Sequence, residues 1–415
     1  MDKKMVPEVR FKGFTDAWEQ DNIGSHLILL KDGTHGTHRD FVDGPLLLSA
    51  KNIKNGKINI SNNERHISIS DFESIHKSFR LKKGDILLTI VGSIGQTAIY
   101  NGDTHITFQR SVAYLRTKDI DSEFLRFLIM APHFQKKLKI NQVVSAQPGI
   151  YLGDIKNISI KYSKNSNEQL LIKNILNLID ISITLQQRQL DLYKKLKKGL
   201  LQKLFSKDGE KVPEVRFADF HDDWEQCKLG EISNITKLAG FEFTKYVHYS
   251  NKGKIIALRG LNVKNGKLDL SDVKYIDNSN FAKLKRSKLY KNDMLFTYVG
   301  TLGESALVPQ NDSFYLAPNV ALIRFNEQYI PYFFREYMST PSFYLKNVLP
   351  LSSSSSQPAL SMKSIRTFII KFPNELEQKK LSIFFKNIEN VITLQQYKIN
   401  KLEELKKYFL QKLFI

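Results

Sequence analysis

Few residues of this sequence have the types and spacing of a catalytic or metal site. His35 and His38 stand three positions apart, as a metal-binding pair can, but segment 32–38 is polar, contains two glycines and indicates a loop. Two histidines without a helix to hold them are a weak metal signal. Segment 92–95, Gly-Ser-Ile-Gly, lacks the Lys-Ser/Thr of a phosphate-binding loop, so its glycines indicate a tight turn after a strand. We predict no metal site and no catalytic residue.

Methyltransferase motifs and paired carboxylates are two other signatures that an enzyme could show. The tetrapeptides with Asn-Pro-Pro or Asp-Pro-Pro that mark adenine methyltransferases do not occur in it. Asp85 and Asp293 are paired positions at strand entries, where capping of a turn is the commoner role of an aspartate. Neither observation favours an enzyme.

Composition and charge narrow the class of protein. The 415 residues include 62 Lys and Arg against 42 Asp and Glu, a formal net charge of +20. This excess favours a polyanionic partner, either nucleic acid or an acidic membrane surface. No apolar run approaches the roughly 18 residues of a membrane span, residues 1–11 lack a signal-peptide stretch, and the single cysteine, Cys227, excludes an internal disulfide. We expect a soluble, cytoplasmic protein of two or three domains without a membrane partner.

The chain repeats itself once, at an offset of about 206 to 210 residues. Segment 6–11, Val-Pro-Glu-Val-Arg-Phe, returns unchanged at 212–217, and Trp18 and Trp224 are paired positions. Segment 52–57 returns with one substitution at 262–267, and its Asn-Gly between alternating apolar residues predicts a β-hairpin turn in each copy.

Each copy mixes strands with a few helices, which predicts a pair of α+β domains. Matching residues 85–95 and 293–303 predict a buried strand that enters a glycine turn. Asn292 stands where the first copy has Gly84, and asparagine tolerates the left-handed conformation, so the turn before this strand should be kept. Further predicted elements are helices near Ser122–Met130 and Ile330–Ser339, a strand over Val112–Arg116, and isoleucine-rich strands at Ile155–Ile160 and Ile365–Ile370.

The last matching segments have the pattern of long helices. A helix from about Ile179 to Phe205 would span roughly 40 Å at 1.5 Å per residue. Its apolar positions, and those of the second copy, step by threes, fours and sevens: Leu176, Ile179, Ile183, Leu190, Tyr193, Leu200 and Leu204, then Ile388, Ile392, Gln395, Ile399, Leu402 and Phe409. Two independent surface helices would fit this pattern, but an antiparallel coiled coil satisfies a duplicated apolar seam more economically.

The duplicated order of these segments resembles the specificity subunit of Type I restriction-modification systems. The best carriers are the helices that begin Glu168-Gln169 and Glu377-Gln378 and end Leu-Gln-Lys-Leu-Phe at 201–205 and 410–414. The resemblance covers essentially the full chain. It implies target recognition domains at 1–165 and 207–373, which each read one half of a split site in double-stranded DNA, and helical spacers at 166–206 and 374–415.

The resemblance also implies partners. The spacers would dock two methyltransferase subunits, and whether a restriction subunit joins them stays open. S-adenosylmethionine, and ATP with Mg²⁺, would be bound by those partners, so this chain is expected to bind no cofactor and to be a non-catalytic subunit. Helix length would set the gap between the half-sites, because half-sites one DNA turn apart are centred roughly 34 Å from each other.

Loop positions that differ between the copies are candidates for reading two different half-sites. Gln and Arg suit the edges of adenine and guanine, whereas lysines shared by both copies suit phosphates. The candidates are Lys54, Gln109, Arg110, Ser111, Ser145 and Gln147 in the first copy, and Arg259, Lys264, Asn319, Ser354 and Gln357 in the second. Ordinary exposed loops and solvated lysines remain the alternative for these positions.

Two other classes of protein stay open on the residues alone. One is a self-contained DNA-modifying enzyme, a nuclease or methyltransferase with a diverged active site. The other is a duplicated RNA-binding or scaffold protein, because a basic surface does not distinguish between nucleic acids.

Overall fold

A computed structural model describes residues 5–77, 79–102, 105–143, 148–207, 209–353 and 356–415. The chain forms two compact units. The first unit consists of Met1–Arg188 and Tyr397–Ile415, and the second of Gln189–Gln396.

Runs of strands are interrupted by a few helices in both units. The strands are β1 (Glu19–Asn22), β2 (Leu27–Asp32), β3 (Phe41–Leu48), β4 (Ile53–Lys54), β5 (Lys57–Ile58), β6 (Arg65–His66), β7 (Ile86–Thr89), β8 (Thr97–Ile99), β9 (Ile106–Phe108), β10 (Val112–Thr117), β11 (Ser159–Tyr162), β12 (Glu225–Lys228), β13 (Ser233–Lys237), β14 (Ile256–Leu258), β15 (Val263–Lys264), β16 (Lys267–Leu268), β17 (Lys274–Tyr275), β18 (Met294–Thr297), β19 (Ser305–Leu307), β20 (Phe314–Leu316), β21 (Val320–Phe325) and β22 (Ile369–Phe372). The α-helices are α1 (Ile69–Ile75), α2 (Ser122–Met130), α3 (Pro132–Ile140), α4 (Leu152–Lys156), α5 (Ser166–Lys203), α6 (Leu229–Ile232), α7 (Gly240–Tyr246), α8 (Pro331–Met338), α9 (Pro341–Phe343), α10 (Met362–Arg366) and α11 (Glu375–Lys412).

The two units have the same sheet topology. In the first, a four-stranded antiparallel sheet has the order β2-β10-β7-β8, a three-stranded sheet has the order β6-β3-β9, and β1-β11 and β4-β5 form pairs. In the second, the corresponding orders are β13-β21-β18-β19, β17-β14-β20, β12-β22 and β15-β16. The α+β class and the internal repeat are therefore confirmed.

The duplicated Asn-Gly turns have the geometry that the sequence predicts. Both central residues of the first hairpin have positive φ, 54° at Asn55 and 76° at Gly56, as a type I′ turn requires. Asn265 and Gly266 match them at 51° and 78°. Asn292 also keeps the left-handed conformation of its counterpart, with φ of 70°.

The predicted isoleucine-rich strands are wrong in their first half. Residues 152–156 form helix α4, and the strand begins only at Ser159; residues 362–366 form α10, and the strand begins at Ile369. In α10 the reason is local capping, since the Ser361 hydroxyl accepts a hydrogen bond from the Ser364 amide at 2.9 Å and starts a helical turn. The first turn of α4 has no such side-chain cap, and a pattern of five residues does not separate a helix from a strand.

Helix α5 is longer than its apolar periodicity alone predicts. It begins at Ser166 rather than near Ile179, within two residues of the Glu168 at which the resemblance begins it, and has 38 residues, which is about 57 Å rather than 40 Å. It begins there because the Asn165 side chain caps its first turn, accepting from the Asn167 amide at 3.0 Å. Within the described residues, no helix combines the length and the apolar character that crossing a bilayer requires.

Segments of α5 and α11 pair antiparallel inside each unit. In the first unit Asp180 forms an ion pair with Lys406 at 2.5 Å, and Leu176 shares the core with Leu410. In the second, Lys197 pairs with Glu389 at 2.7 Å, and the rings of Phe205 and Phe385 stack with centroids 5.6 Å apart. Residue numbers rise along α5 as they fall along α11, so the predicted antiparallel pairing is confirmed and the alternative of two independent helices is wrong.

The main core of each unit joins sheet, helices and a tryptophan. In the first unit Trp18 packs edge-on against Phe124 of α2 and against Phe414, which follows α11. In the second, Trp224 packs against Phe333 of α8 and against Phe205, which follows α5. The same construction therefore supports both units.

The units differ in how a helix covers the small three-stranded sheet. In the first unit α1 follows β6 and buries Phe72 against Leu47. In the second unit α7 follows β13 and packs Phe243 and Tyr246 against the sheet. The helix thus enters at a different point of the chain, although the strands beneath it correspond.

Candidate nucleic-acid interface

Four segments of the first unit meet at the start of β10. This strand pairs antiparallel with both β2 and β7, so the ends of those strands lie beside Ser111. The Ser111 hydroxyl accepts from the Ala50 amide at 3.0 Å, and its carbonyl accepts from the Ile90 amide at 2.9 Å. The amides of Gln109 and Arg110 donate to the carbonyls of Leu48 and Thr34. We call residues 33–36, 48–51, 90–92 and 109–111 loop cluster 1.

The second unit brings the corresponding segments together. The Asn319 carbonyl accepts from the Tyr298 amide at 3.3 Å, and Ala317 donates to the Leu258 carbonyl at 3.1 Å. A Cβ on Gly260 would lie 3.4 Å from the Asn319 carbonyl oxygen. Asn319 is exposed and has φ of 69°. Leu238 packs in one hydrophobic cluster with Ala317. Loop cluster 2 consists of residues 258–261, 298–300 and 317–319 together with 238–241, of which the last two begin α7.

The candidates that follow the glycine turns are only partly described. Ser145, Gln147 and Ser354 lie outside the described residues. Their neighbours reach the clusters, because Gly92 donates to the Pro148 carbonyl at 3.0 Å and Gly300 donates to the Pro358 carbonyl at 2.9 Å. Gln357 is exposed beside that second contact.

The structure places Arg259 differently from the other candidates of the second copy. Its guanidinium donates to the Asp272 carbonyl at 2.8 Å and forms an ion pair with the Asp272 carboxylate at 3.2 Å. Its side chain is only 19% exposed. In this arrangement Arg259 braces the loop that follows β16 instead of extending from loop cluster 2.

Lys54 and Lys264 lie exposed on the duplicated hairpins. Lys264 is 3.3 Å from the Asp269 carboxylate. Hydrogen bonds from the Ser271 hydroxyl and amide, together with Lys264, lower the pKa of Asp269 to about 2. That carboxylate is therefore ionised at neutral pH and competes with a phosphate for Lys264, whereas Asn59 occupies the position corresponding to Asp269 in the first copy.

Each hairpin is fastened to a long helix by a duplicated contact. Lys57 donates to the Thr184 hydroxyl at 2.6 Å in the first unit, and Lys267 donates to the Thr393 hydroxyl at 2.8 Å in the second. These pairs lie at corresponding positions of the repeat. They hold the strand region against the helical part of its own unit.

A buried arginine beside each hairpin was not identified from the sequence. Arg335 donates to the Gly266 carbonyl at 2.8 Å and pairs with Glu389 at 3.0 Å, with 4% of its side chain exposed. Arg126 takes the same position in the first unit, where Asp180 lies 3.6 Å away. Burial raises the pKa of Glu389, but Arg335 and Lys197 outweigh that effect and the net pKa is lowered. The sequence did contain a signal for these two arginines, because each stands at the corresponding position of the repeat within a predicted apolar helix.

Another duplicated ion pair explains the repeated Arg-Phe and Glu-Gln motifs. Arg10 donates to both oxygens of the fully buried Glu168 at 2.6 and 2.9 Å, and Arg216 does the same to Glu377 at 2.9 and 2.7 Å. The hydrogen bond to Glu168 raises the pKa of Arg10. Bidentate pairing fixes the orientation of both groups, so these motifs build the fold.

The residues considered for metal chemistry and turn capping have local partners. His35 is bonded to Asp32 at 2.6 Å, and His38 to the Thr34 hydroxyl at 2.9 Å. Among the described residues, no group of three or more His, Cys, Asp or Glu side chains is arranged to hold a metal ion. Asp85 accepts from the Lys82 amide at 2.7 Å, as predicted for turn capping, and also binds Arg116.

The geometry can be compared with known proteins. A family model described as the Type I restriction modification DNA specificity domain matches residues 41–193 and 221–404, one match in each copy of the repeat. The chain belongs to this family. Its specificity subunits are non-catalytic components of restriction-modification systems. The family assignment therefore favours a specificity subunit over the alternative of a self-contained DNA-modifying enzyme.

Relatives of known name agree with this assignment. A protein of Methanocaldococcus jannaschii described as the MjaX type I restriction enzyme specificity subunit is 23% identical over 406 residues, covering 94% of this chain and 91% of its own. The EcoBI specificity subunit of Escherichia coli is 28% identical over 138 residues, covering 33% of this chain and 29% of its own. Type I specificity is thus common to the family model and the named relatives.

Solved structures show the same fold. The crystal structure of the Type I restriction-modification S subunit from M. genitalium superposes with a TM-score of 0.61 at 16% identity and covers 99% of both chains. A structure from a study of complex assembly and conformational transition of a type I system has a TM-score of 0.57 at 15% identity and covers 95% of this chain and 96% of that one.

Proposed function

We propose that each unit reads one half of a bipartite site in double-stranded DNA through its loop cluster. The observation that carries this proposal is one fold with two sets of side chains. Gln109, Arg110 and Ser111 in loop cluster 1 correspond to Ala317, Pro318 and Asn319 in loop cluster 2, while the strands on both sides pair in the same way. Two units with the same strand pairing but different loop side chains would suit a DNA site whose two halves differ in sequence.

Affinity comes in this proposal from contacts to phosphates. The formal net charge of +20 favours a polyanion, and Lys54 and Lys264 are exposed on hairpins that follow cluster segments 48–51 and 258–261 in the chain and are held to the long helices. Phosphate contacts position a protein on the duplex without reading its sequence. The polar groups at positions 109–111 and 319 then supply base contacts.

The recognition domains extend over 1–165 and 207–373 in this proposal, with helical spacers at 166–206 and 374–415. Strand β11 ends at Tyr162 and α5 begins at Ser166, while β22 ends at Phe372 and α11 begins at Glu375. These borders support exchange of a domain at the helix start.

Domain exchange tests the reading of half-sites. We expect that replacing residues 1–165 by the corresponding segment of another family member changes one half of the methylated site and leaves the other half unchanged. Methylome sequencing of cells that carry the chain with its methyltransferase measures this result. A change in both halves, or in neither, would contradict modular reading.

The long helices dock methyltransferase subunits in this proposal. Leu171, Leu178 and Leu185 follow one another at steps of seven on α5 and are exposed in the first unit, and Ile383 and Leu394 are exposed on α11 in the second. Apolar residues at a spacing of seven share one side of a helix, and exposed apolar surface of this kind marks an interaction site. The partners supply S-adenosylmethionine, and any restriction subunit supplies ATP with Mg²⁺.

Charge placed on this helix side tests docking. The double variant Leu178→Asp, Leu185→Asp should lose co-purification with the methyltransferase because a carboxylate in an apolar interface is costly. Ile140→Asp is the matched control, since Ile140 is at least as exposed as the two leucines but lies on α3. Unchanged co-purification of the double variant would exclude this surface.

A further inference from the structure

We infer that the second unit recognises thymine methyl groups in its half-site through Phe241 and Leu261. This inference rests on the proposed function and adds a specificity mechanism to it. The two units would then read their half-sites by different chemistry, the second with apolar contacts and the first with polar ones.

The strand registers fix where the matching strands of the two clusters end. Asp32 pairs with Ala113 in the first unit, and Lys237 pairs with Ala321 at the matching place in the second. Beyond these ends the backbones differ, because the first unit continues as a loop with the exposed Gly36, whereas the second begins α7 with Phe241 exposed in its first turn. The segment that follows the strand therefore presents a glycine in one unit and an aromatic ring in the other.

A second position changes in the same direction. The short 3₁₀ turns Ala50–Asn52 and Gly260–Asn262 correspond, and each is closed by its asparagine. Asn52 accepts from the Ser49 amide at 3.0 Å, and Asn262 accepts from the Arg259 amide at 3.1 Å. The backbone is thus the same in both turns, and its middle residue is Lys51 in one and Leu261 in the other.

Neither apolar side chain is used by the core of its unit. Phe243 and Tyr246 of α7 pack on the three-stranded sheet, whereas Phe241 is 66% exposed. Leu261 is 44% exposed, although Gly260 beside it touches the Asn319 segment. Both side chains belong to loop cluster 2 and stay exposed there. Packing within the unit therefore does not account for an apolar residue at either position.

The surroundings favour a DNA base as the occupant. Lys237 and Lys245 flank Phe241 in the sequence and are exposed, which gives cations for phosphates next to an apolar tip. Among the bases, thymine presents a methyl group in the major groove, and apolar side chains recognise it there. In the first unit the corresponding segments carry Gly36 and Lys51, and Lys51 is paired with Glu64 at 3.0 Å.

Removing the methyl group tests the inference directly. Methylome sequencing of the complex with its methyltransferase identifies the site, and exchange of residues 1–165 identifies the half that belongs to the second unit. Binding of the complex is then measured at fixed salt on duplexes in which deoxyuridine replaces thymidine in one half at a time. We expect deoxyuridine in the second unit's half to weaken binding about fourfold for each methyl group that loses its contact, and deoxyuridine in the other half to have no effect.

Variants show whether the two named side chains are responsible. In the double variant Phe241→Ser, Leu261→Lys, duplexes with and without the methyl groups should bind equally. Leu270→Ala is the matched control, because Leu270 is also 44% exposed and its counterpart Ile60 is apolar as well, so it should keep the methyl dependence.

The outcomes separate this inference from the function on which it rests. If the wild-type complex shows no preference for a bipartite duplex, the proposed function fails before any variant is made. If it prefers the site but binds the deoxyuridine duplexes unchanged, or if the double variant keeps the methyl dependence, the thymine contact is overturned.

Discussion

Arg110 stands on a turn whose backbone is held by its neighbours on both sides. The amide of Arg110 donates to Thr34, and the Ser111 hydroxyl accepts from Ala50, so the side chain can change without loss of the turn. We expect Arg110→Ala to weaken binding to the cognate site by about 1–3 kcal/mol and to relax one base position. Lys54→Ala should weaken binding to all sequences alike and reduce the salt slope by about 1. Titrations at several salt concentrations distinguish the two variants. If Arg110→Ala weakened binding to all sequences alike, Arg110 would not be a residue that reads a base.

Gly266 and Gly300 share φ of 78° but differ in their surroundings. A Cβ on Gly266 would lie 2.4 Å from the guanidinium of buried Arg335, whereas Gly300 has only the Gln357 side chain at 4.0 Å. We expect Gly300→Ala to cost about 1 kcal/mol of unfolding free energy for the positive φ and Gly266→Ala about 2 kcal/mol more for displacing the arginine. Urea unfolding measures both, and equal losses would argue against a tight seat for Arg335.

Glu389 gives the second unit a dependence on acidity. Its pKa is lowered in the folded state from 4.5, because Arg335 and Lys197 outweigh burial. A lowered folded-state pKa contributes stability that is present above about pH 4.5 and is lost as the pH falls through the folded-state value. Wild type should therefore exceed Glu389→Gln in unfolding free energy at pH 7 and approach it near pH 3, while the exposed control Glu327→Gln should match wild type throughout.

Sequence patterns predicted turns well and buried charges poorly. Asn-Gly and the Asn292 turn were predicted because a positive φ restricts residue type within a few positions. Arg126 and Arg335 were missed because their partners, Asp180 and Glu389, lie on a helix that is distant in the chain. Loop positions 109–111 and 319 were brought together with the glycine turns by strand pairing, and their contacts to bases remain a prediction.

At the scale of elements, the residues that follow α11 complete the core of the first unit. Leu413, directly after the helix, is 2% exposed and packs in the cluster that includes Trp18 and Phe124, whereas Leu405 on α11 is 41% exposed. We expect Leu413→Ala to lower the stability of the first unit by about 2–5 kcal/mol, since it leaves a cavity, and Leu405→Ala to have little effect. Hydrogen exchange resolved by peptide measures this, with protection lost in β10 and kept in β21; a loss in both units would contradict a local core.

Helix ends were predicted less accurately than helix pairing. The apolar seam extends over many turns and its period identifies both helices, whereas the start of α5 depends on one cap at Asn165. The short helices α4 and α10 were predicted as strands for a different reason, because five residues carry too little periodicity to separate a helix from a strand.

At the scale of the molecule, helix length can be changed independently of the recognition domains. Inserting four residues into α5 and four into α11, at the facing positions near Gln189 and Gln395, adds about 6 Å and turns the helix by about 40°. We expect a methylated site with the same two halves and a gap longer by up to about two base pairs. Methylome sequencing reads the gap, and an unchanged gap would contradict a role of helix length.

The interleaving of the chain has a consequence for biosynthesis. The second unit is one continuous stretch, Gln189–Gln396, but the first needs Tyr397–Ile415 to cover Trp18. During translation from the N-terminus, the core of the first unit therefore stays incomplete until almost four hundred further residues have been made. The second unit is made later but can fold first, because all of its residues are then present. Nascent chains should consequently expose apolar surface of the first unit to the ribosome-associated chaperones for most of the time of synthesis.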